Sequence, residues 1–185
     1  MTTLEVVERG ASRHCGFTMV ELMVTVAVLA VLAAIAAPMF SDTLRKVRLN
    51  AVTSALVSSL QQARSDSIRL NRRVLVCASN TNRDDCSSTS DWGANGWLVC
   101  YDEDADNSCD SGSSTLPNPM RIENTVSATT TTVTGPTAPV RFNPIGSSGN
   151  AGSATVTITV AGVGSGAPTL TVTIAATGVI KGSRI

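Results

Sequence analysis

Three sets of residues have types and spacings that can do chemistry. The first is Glu21. From Leu22 to Ala37 the chain carries no charge and one polar residue, Thr25, and Glu21 is the carboxylate at the entrance to that run. A carboxylate in lipid costs a few kcal/mol or more, so one kept there marks a partner or a function. The second is Asp102-x-Asp104-x-Asp106-Asn107, whose alternating carboxylates open like a loop that wraps a hard cation such as calcium. The pattern then departs from such a loop. Asn107 stands where the sharp turn takes Gly, and Ser113 where the last ligand is a bidentate Glu, so a solvated acidic loop is the favoured reading. The third is the cysteines Cys15, Cys77, Cys86, Cys100 and Cys109. They contain no CxxC pair, and the one histidine, His14, lies far from the other four, so no zinc site or other metal is expected.

Other chemistry is thinly supplied. One histidine leaves little for triads or imidazole metal sites, no Gly-rich phosphate loop occurs, and the acids cluster in one loop with no paired acid and base. Neither an enzyme nor a cofactor is expected. The net charge of zero hides an asymmetry. Seven basic residues (Arg45, Lys46, Arg48, Arg64, Arg69, Arg72 and Arg73) face one acid, Asp66, between Arg45 and Arg73, whereas Asp84 to Asp110 holds eight acids and no Lys or Arg. Such polarity along the chain can steer packing between neighbours.

The elements that position these residues follow from periodicity. Phe17 to Phe40 is 24 residues, roughly 36 Å of helix, against a bilayer core of about 30 Å. Pro38 removes one backbone hydrogen bond and should kink the helix without ending it. Beyond it, Leu49, Val52, Leu56, Leu60 and Ala63 recur at three- and four-residue steps, one apolar face of a helix running to about Asn71. Strands are expected within Arg72–Ala78, with Val74 to Val76 its buried part, at Trp97–Tyr101, around Met120-Arg121-Ile122 and from Val140 to Pro144. Ala154 to Val160 and Thr169 to Ala175 should pair as an antiparallel hairpin, alternating apolar residues with Thr. Thr125 to Thr137 reads as strand or exposed loop, and Gly178 to Ile185 as a short basic tail. The fold class is α+β: a long kinked N-terminal helix, its first half membrane-embedded, packed on an antiparallel β-sheet domain.

Gly16-Phe17-Thr18-x-x-Glu21-Leu22, placed before a long apolar helix, resembles the processing site of type IV prepilins and type II secretion pseudopilins. Trp92-Gly93-x-x-Gly96-Trp97 running to Asp102, with Asn143-Pro144-x-Gly146, is similar to the FimT/FimU/GspH group of minor pilins and pseudopilins. The resemblance implies a leader at 1–16, cleavage by prepilin peptidase between Gly16 and Phe17, and N-methylation of Phe17. It also implies a membrane or filament-core helix at 17–40, an amphipathic continuation at 41–73 and a β-rich head at 74–185. Glu21 and Pro38 become assembly residues, Glu21 pairing with the Phe17 amine of a neighbouring subunit; a Glu that reaches the headgroups is the plain alternative. The basic residues flanking the apolar run, Arg9 and Arg13 before and Arg45, Lys46 and Arg48 after, leave orientation undecided. The resemblance places the chain in the inner membrane as a single pass, with its N-terminus in the cytoplasm and its head in the periplasm, and in a filament after assembly.

Cutting after Gly16 removes Cys15 and His14 and leaves Cys77, Cys86, Cys100 and Cys109, an even number in an oxidising compartment. Two disulfides are expected. Of three pairings, Cys77–Cys86 and Cys100–Cys109 are favoured because each closes a short loop, and sequence does not decide between them. The implied partners are other pilin or pseudopilin subunits, prepilin peptidase and inner-membrane lipid, in a role of priming or capping assembly. DNA is the alternative partner. FimT-type pilins of competent bacteria bind DNA through a C-terminal GRxR-like motif, which would fall here on Gly178-Val179-Ile180-Lys181 with Arg184 beyond. Val179 departs from that motif, and two cations neutralise about two phosphates, a weak and salt-sensitive contact.

Overall fold

The computed structural model describes residues 17–112, 116–124, 126, 129–149, 155–163 and 167–183, except that the side chains of 36–39, 155 and 156 are not described. The chain divides into two compact units, Met1–Ser41 and Asp42–Ile185. Helix α1, Met19–Leu70, begins in the first and ends in the second.

The first unit is set by a capping sequence. Thr18 Oγ1 accepts the Glu21 backbone N–H at 3.2 Å, and Leu22 N–H donates to Thr18 O at 3.1 Å. Thr-x-x-Glu is the pattern by which a helix satisfies its first orphan donors. From there the apolar side chains stand exposed: Phe17 is 71% exposed and Leu29 64%. Helix α1 runs through Pro38, as expected. By length and composition no single helix of the described residues is long and apolar enough to cross a membrane, whereas Met19–Ile35 and Phe40–Leu70 pass together. Residues 36–39, with Pro38, fall between the two pieces.

In the second unit α1 buries Leu49, Leu56, Leu60 and Ala63, with Val52 partly buried beside them. This is the expected face. The helix ends at Leu70, where Asn71 adopts φ +50 and Arg72 N–H returns to Ser67 O at 3.2 Å. Asn tolerates the left-handed position that closes a helix, so Arg72 and Arg73 lie beyond α1 rather than inside it.

Among the described residues the strands form two antiparallel sheets. They are β1 (Val74–Ala78), β2 (Trp97–Tyr101), β3 (Arg121–Ile122), β4 (Thr131–Thr134), β5 (Val140–Phe142), β6 (Thr155–Gly162), β7 (Thr169–Ala175) and β8 (Ile180–Gly182). One sheet is ordered β3-β2-β1-β5 and the other β4-β6-β7-β8. In the first, β1 and β2 are buried on both faces. Val74, Val76, Trp97 and Val99 join the main core with α1. Leu75, Cys77, Leu98 and Cys100 form a second cluster, against which Cys86 and Cys109 pack. Burial on both faces is why these strands are continuous apolar runs.

The Cys77–Cys86 and Cys100–Cys109 disulfides are those favoured from loop length, each with a sequence separation of 9. They cover the sheet face that α1 does not. Loops of that size, when closed, are worth roughly 2–3 kcal/mol each through the unfolded chain.

In the second sheet the hairpin pairs Ile158 with Val172 and Val160 with Leu170, apolar to apolar, with all four buried. The expected basic tail is corrected. Gly178 (φ +76) turns the chain, its N–H donating to Ala175 O at 2.8 Å, and β8 then pairs back on β7 with Lys181 opposite Thr173. Three residues are too few to show alternation, so the turn chemistry was the only local signal for this strand.

Candidate functional site

The N-terminal segment is built as a presented apolar surface with one charge. Phe17 and Glu21 are both exposed, one helical turn apart, and Glu21 has no ion pair among the described residues. Gly16, Cys15 and the rest of the expected leader at 1–16 lie outside the described residues. The helix cap and the Glu21 carboxylate share one short motif. Thr18 holds the backbone N–H of Glu21, not its carboxylate.

The acidic loop is the second arrangement: residues 103–107 are exposed, as in a solvated loop, and Cys100–Cys109 ties it, but Asp102 is not solvated. Asp102 is fully buried. Arg73 Nη2 lies 2.9 Å from Asp102 Oδ2, and the Ala105 and Asn107 N–H groups donate to its two oxygens at 2.8 and 3.2 Å. Ala105 (φ +73) and Asn107 (φ +72) take left-handed conformations to do so. Arg72 pairs with Glu103 and lies 5.3 Å over the Tyr101 ring. The carboxylates of Asp102, Asp104 and Asp106 each place an oxygen within 4.8 Å of the others. Because Asp102 already holds a guanidinium and two N–H groups, the arrangement is that of a tied loop rather than a cation cage. Sulfurs of Cys86, Cys100 and Cys109 also lie within 4.8 Å of one another, but all are committed to disulfides.

Sequence reasoning missed that the loop is the landing place for the end of the basic segment. The signal was the adjacency of Arg72-Arg73 to β1, which pairs with the strand that leads into the acids.

Two carboxylates of the loop are shifted. The Ser108 hydroxyl and N–H, at 2.7 and 2.8 Å, hold Asp106 below the usual carboxylate range. Asp110 is pushed up, first by desolvation and then by the Asp104 and Asp106 charges. A raised folded-state pKa gives stability that is present at acid pH and lost as pH rises through that pKa. Asp110→Asn, which keeps an acceptor for the Glu103 N–H, is therefore expected to be more stable than the native chain at about pH 7 and equal to it at about pH 3. Thermal unfolding at the two pH values checks this.

The remaining motif residues prove architectural. Trp92 is buried, donates Nε1–H to Pro136 O at 3.0 Å, and lies so close to Gly135 that a Cβ there would meet the ring at 2.6 Å. Gly146 (φ +76) presents its carbonyl to Arg64 Nε at 2.8 Å, and Arg64 Nη2 reaches Thr177 O at 3.4 Å. Arg64 therefore ties α1 to two turns of the head, a role that its place among the basic residues of Arg45 to Arg73 does not foreshadow.

Lys181 is exposed on β8, and Arg184 lies outside the described residues. Cations that could add charge to a contact at Lys181 have partners of their own. Arg72 and Arg73 are spent on Glu103 and Asp102, and Arg141 Nη1 bonds Asn107 Oδ1 at 3.2 Å.

A family profile described as "Type II transport protein GspH" matches residues 52–178, and one described as "Prokaryotic N-terminal methylation motif" matches residues 11–37. The chain belongs to the GspH family. The GspH match takes in the amphipathic part of α1, both disulfides and both sheets as far as the Gly178 turn, and stops before Lys181. The methylation motif covers Gly16, Phe17 and Glu21 and ends just before Pro38. Two crystal structures of the type IV minor pilin FimU from Pseudomonas aeruginosa are similar in fold. One has 20% identity and a TM-score of 0.44, covering 72% of this chain and 86% of that one. The other has 18% identity and a TM-score of 0.43, covering 72% and 91%. No curated protein matches the chain. With a methylation motif ahead of a GspH-family domain, the chain is a pilin-like subunit of the type IV pilus or type II secretion class.

Proposed function

We propose that the chain is a non-catalytic minor pilin or pseudopilin that primes or caps a type IV pilus or type II secretion pseudopilus. The observation that carries this is the exposed apolar helix with one carboxylate at its start, joined to a disulfide-tied head. In the precursor the segment 17–40 anchors the chain in the inner membrane, with the head in the periplasm. Prepilin peptidase cuts between Gly16 and Phe17, and Phe17 is N-methylated. The new Phe17 amine of one subunit meets Glu21 of its neighbour, so two charges that are costly in apolar surroundings offset each other and fix axial register. Apolar surface then passes from lipid to packed helices without meeting water. Co-expression with a prepilin peptidase is expected to shorten the chain by residues 1–16, read by intact mass. A chain that keeps its leader in the presence of active peptidase contradicts the reading.

DNA uptake is the second reading, supported by the exposure of Lys181 on the outermost strand of its sheet. Its test is a gel shift with duplex DNA at low and moderate salt. Salt-sensitive retardation lost in Lys181→Ala/Arg184→Ala supports it, and no shift at low salt removes it.

A further inference from the structure

We propose that Arg45, Lys46 and Arg48 form a docking surface for the phosphate headgroups of anionic lipid. The proposal rests on reading 17–40 as the membrane anchor. All three side chains are exposed, in the turns of α1 just before Leu49, the first residue of the helix buried against the head. Asp42 is the one acid nearby, 3.8 Å from Arg45. Among the described residues Lys46 and Arg48 have no ion pair and no side-chain hydrogen bond.

Position and pattern point to lipid. The cations follow Phe40 by five to eight residues, roughly 8–12 Å of helix. The polar layer of a bilayer begins where its apolar core ends and is about 5–8 Å deep on each side. Lys and Arg side chains are long enough to reach back across the difference. Leu44 and Val47, 39% and 58% exposed, are interleaved with the cations. Apolar side chains set among basic ones are the pattern of a surface at the headgroup boundary. At about 100° per residue the three cations cover an arc of about 160°, wider than the stripe one neighbouring helix covers. Lipids packed around a crossing helix meet such an arc; a single protein face does not. In this account the cations hold the precursor at the membrane surface with its head clear of the bilayer, and they give up phosphate contacts when the subunit leaves for a filament.

The test uses the full chain in vesicles of phosphatidylcholine alone and of phosphatidylcholine with phosphatidylglycerol, with spin-labelled lipids reporting which headgroup stays beside the protein. At low salt the labelled phosphatidylglycerol is expected to be retained at least about fivefold over phosphatidylcholine, the factor one cation near a charged surface supplies. The preference should fall at high salt and vanish in Arg45→Gln/Lys46→Gln/Arg48→Gln. Equal retention by the native chain overturns the proposal alone, as does a preference that survives in the variant or ignores salt. Failure of the native chain to float with phosphatidylcholine vesicles overturns the anchor reading and this proposal with it.

Discussion

Glu21→Val is expected to leave the chain folded and cleaved, yet to lower its incorporation into filaments at least about tenfold. The local structure explains why the two effects separate. The cap at the start of α1 uses the Thr18 hydroxyl and the Glu21 backbone N–H, not the Glu21 carboxylate. Valine keeps that N–H, so the helix start survives. In the proposed filament, however, the neighbour's Phe17 amine would lose its counter-charge in apolar surroundings. An unpaired charge there costs a few kcal/mol, and each 1.4 kcal/mol is about a factor of ten in an equilibrium. Glu21→Asp keeps the charge on a shorter arm and should recover part of the loss. Immunoblots of filament and membrane fractions read the ratio. Equal incorporation of Glu21→Val and the native chain would show that the carboxylate does not set register.

The second large effect is expected in the head. Asp102→Ala should destabilise the folded protein by about 3–5 kcal/mol, the usual cost of breaking a buried ion pair. The Arg73 guanidinium loses its counter-charge, and the Ala105 and Asn107 N–H groups lose their acceptor. Against a total of about 5–15 kcal/mol for a typical domain, that is a large share. Asp102→Asn retains an acceptor and should cost less. By contrast, Asp104→Ala removes an exposed carboxylate whose hydrogen bond at 3.3 Å is local, and should cost little. Urea unfolding of the oxidised proteins checks the order. If Asp102→Ala and Asp104→Ala are equally mild, the loop is not held through Asp102.

Much of the architecture was legible because it follows from periodicity. Leu49, Leu56, Leu60 and Ala63 fall on one helical face, and Leu170, Val172 and Ile174 on one strand face, so burial could be read from spacing alone. Loop length favoured the disulfide pairing that the structure has. What stayed hidden depends on contacts far apart in sequence. Asp102 is 29 residues from Arg73, and nothing in its neighbourhood distinguishes it from Asp104 or Asp106. Arg64 reaches Gly146 and Thr177 across a tertiary contact that its own segment does not foreshadow. β8 is short, polar and basic, and only the Gly178 turn and the free edge of β7 make it a strand. The division into two sheets was equally hidden, since each strand carries its own pattern but not the identity of its neighbours.

The central claim is that this chain is a processed filament subunit. The most direct measurement is mass spectrometry of isolated filaments after trypsin, reading the peptide Phe17–Arg45, which contains no internal Lys or Arg. The account predicts that peptide in the filament fraction, beginning at Phe17 with one methyl group on its amine. Finding the chain only in the membrane fraction, with Gly16 still joined to Phe17, would contradict it.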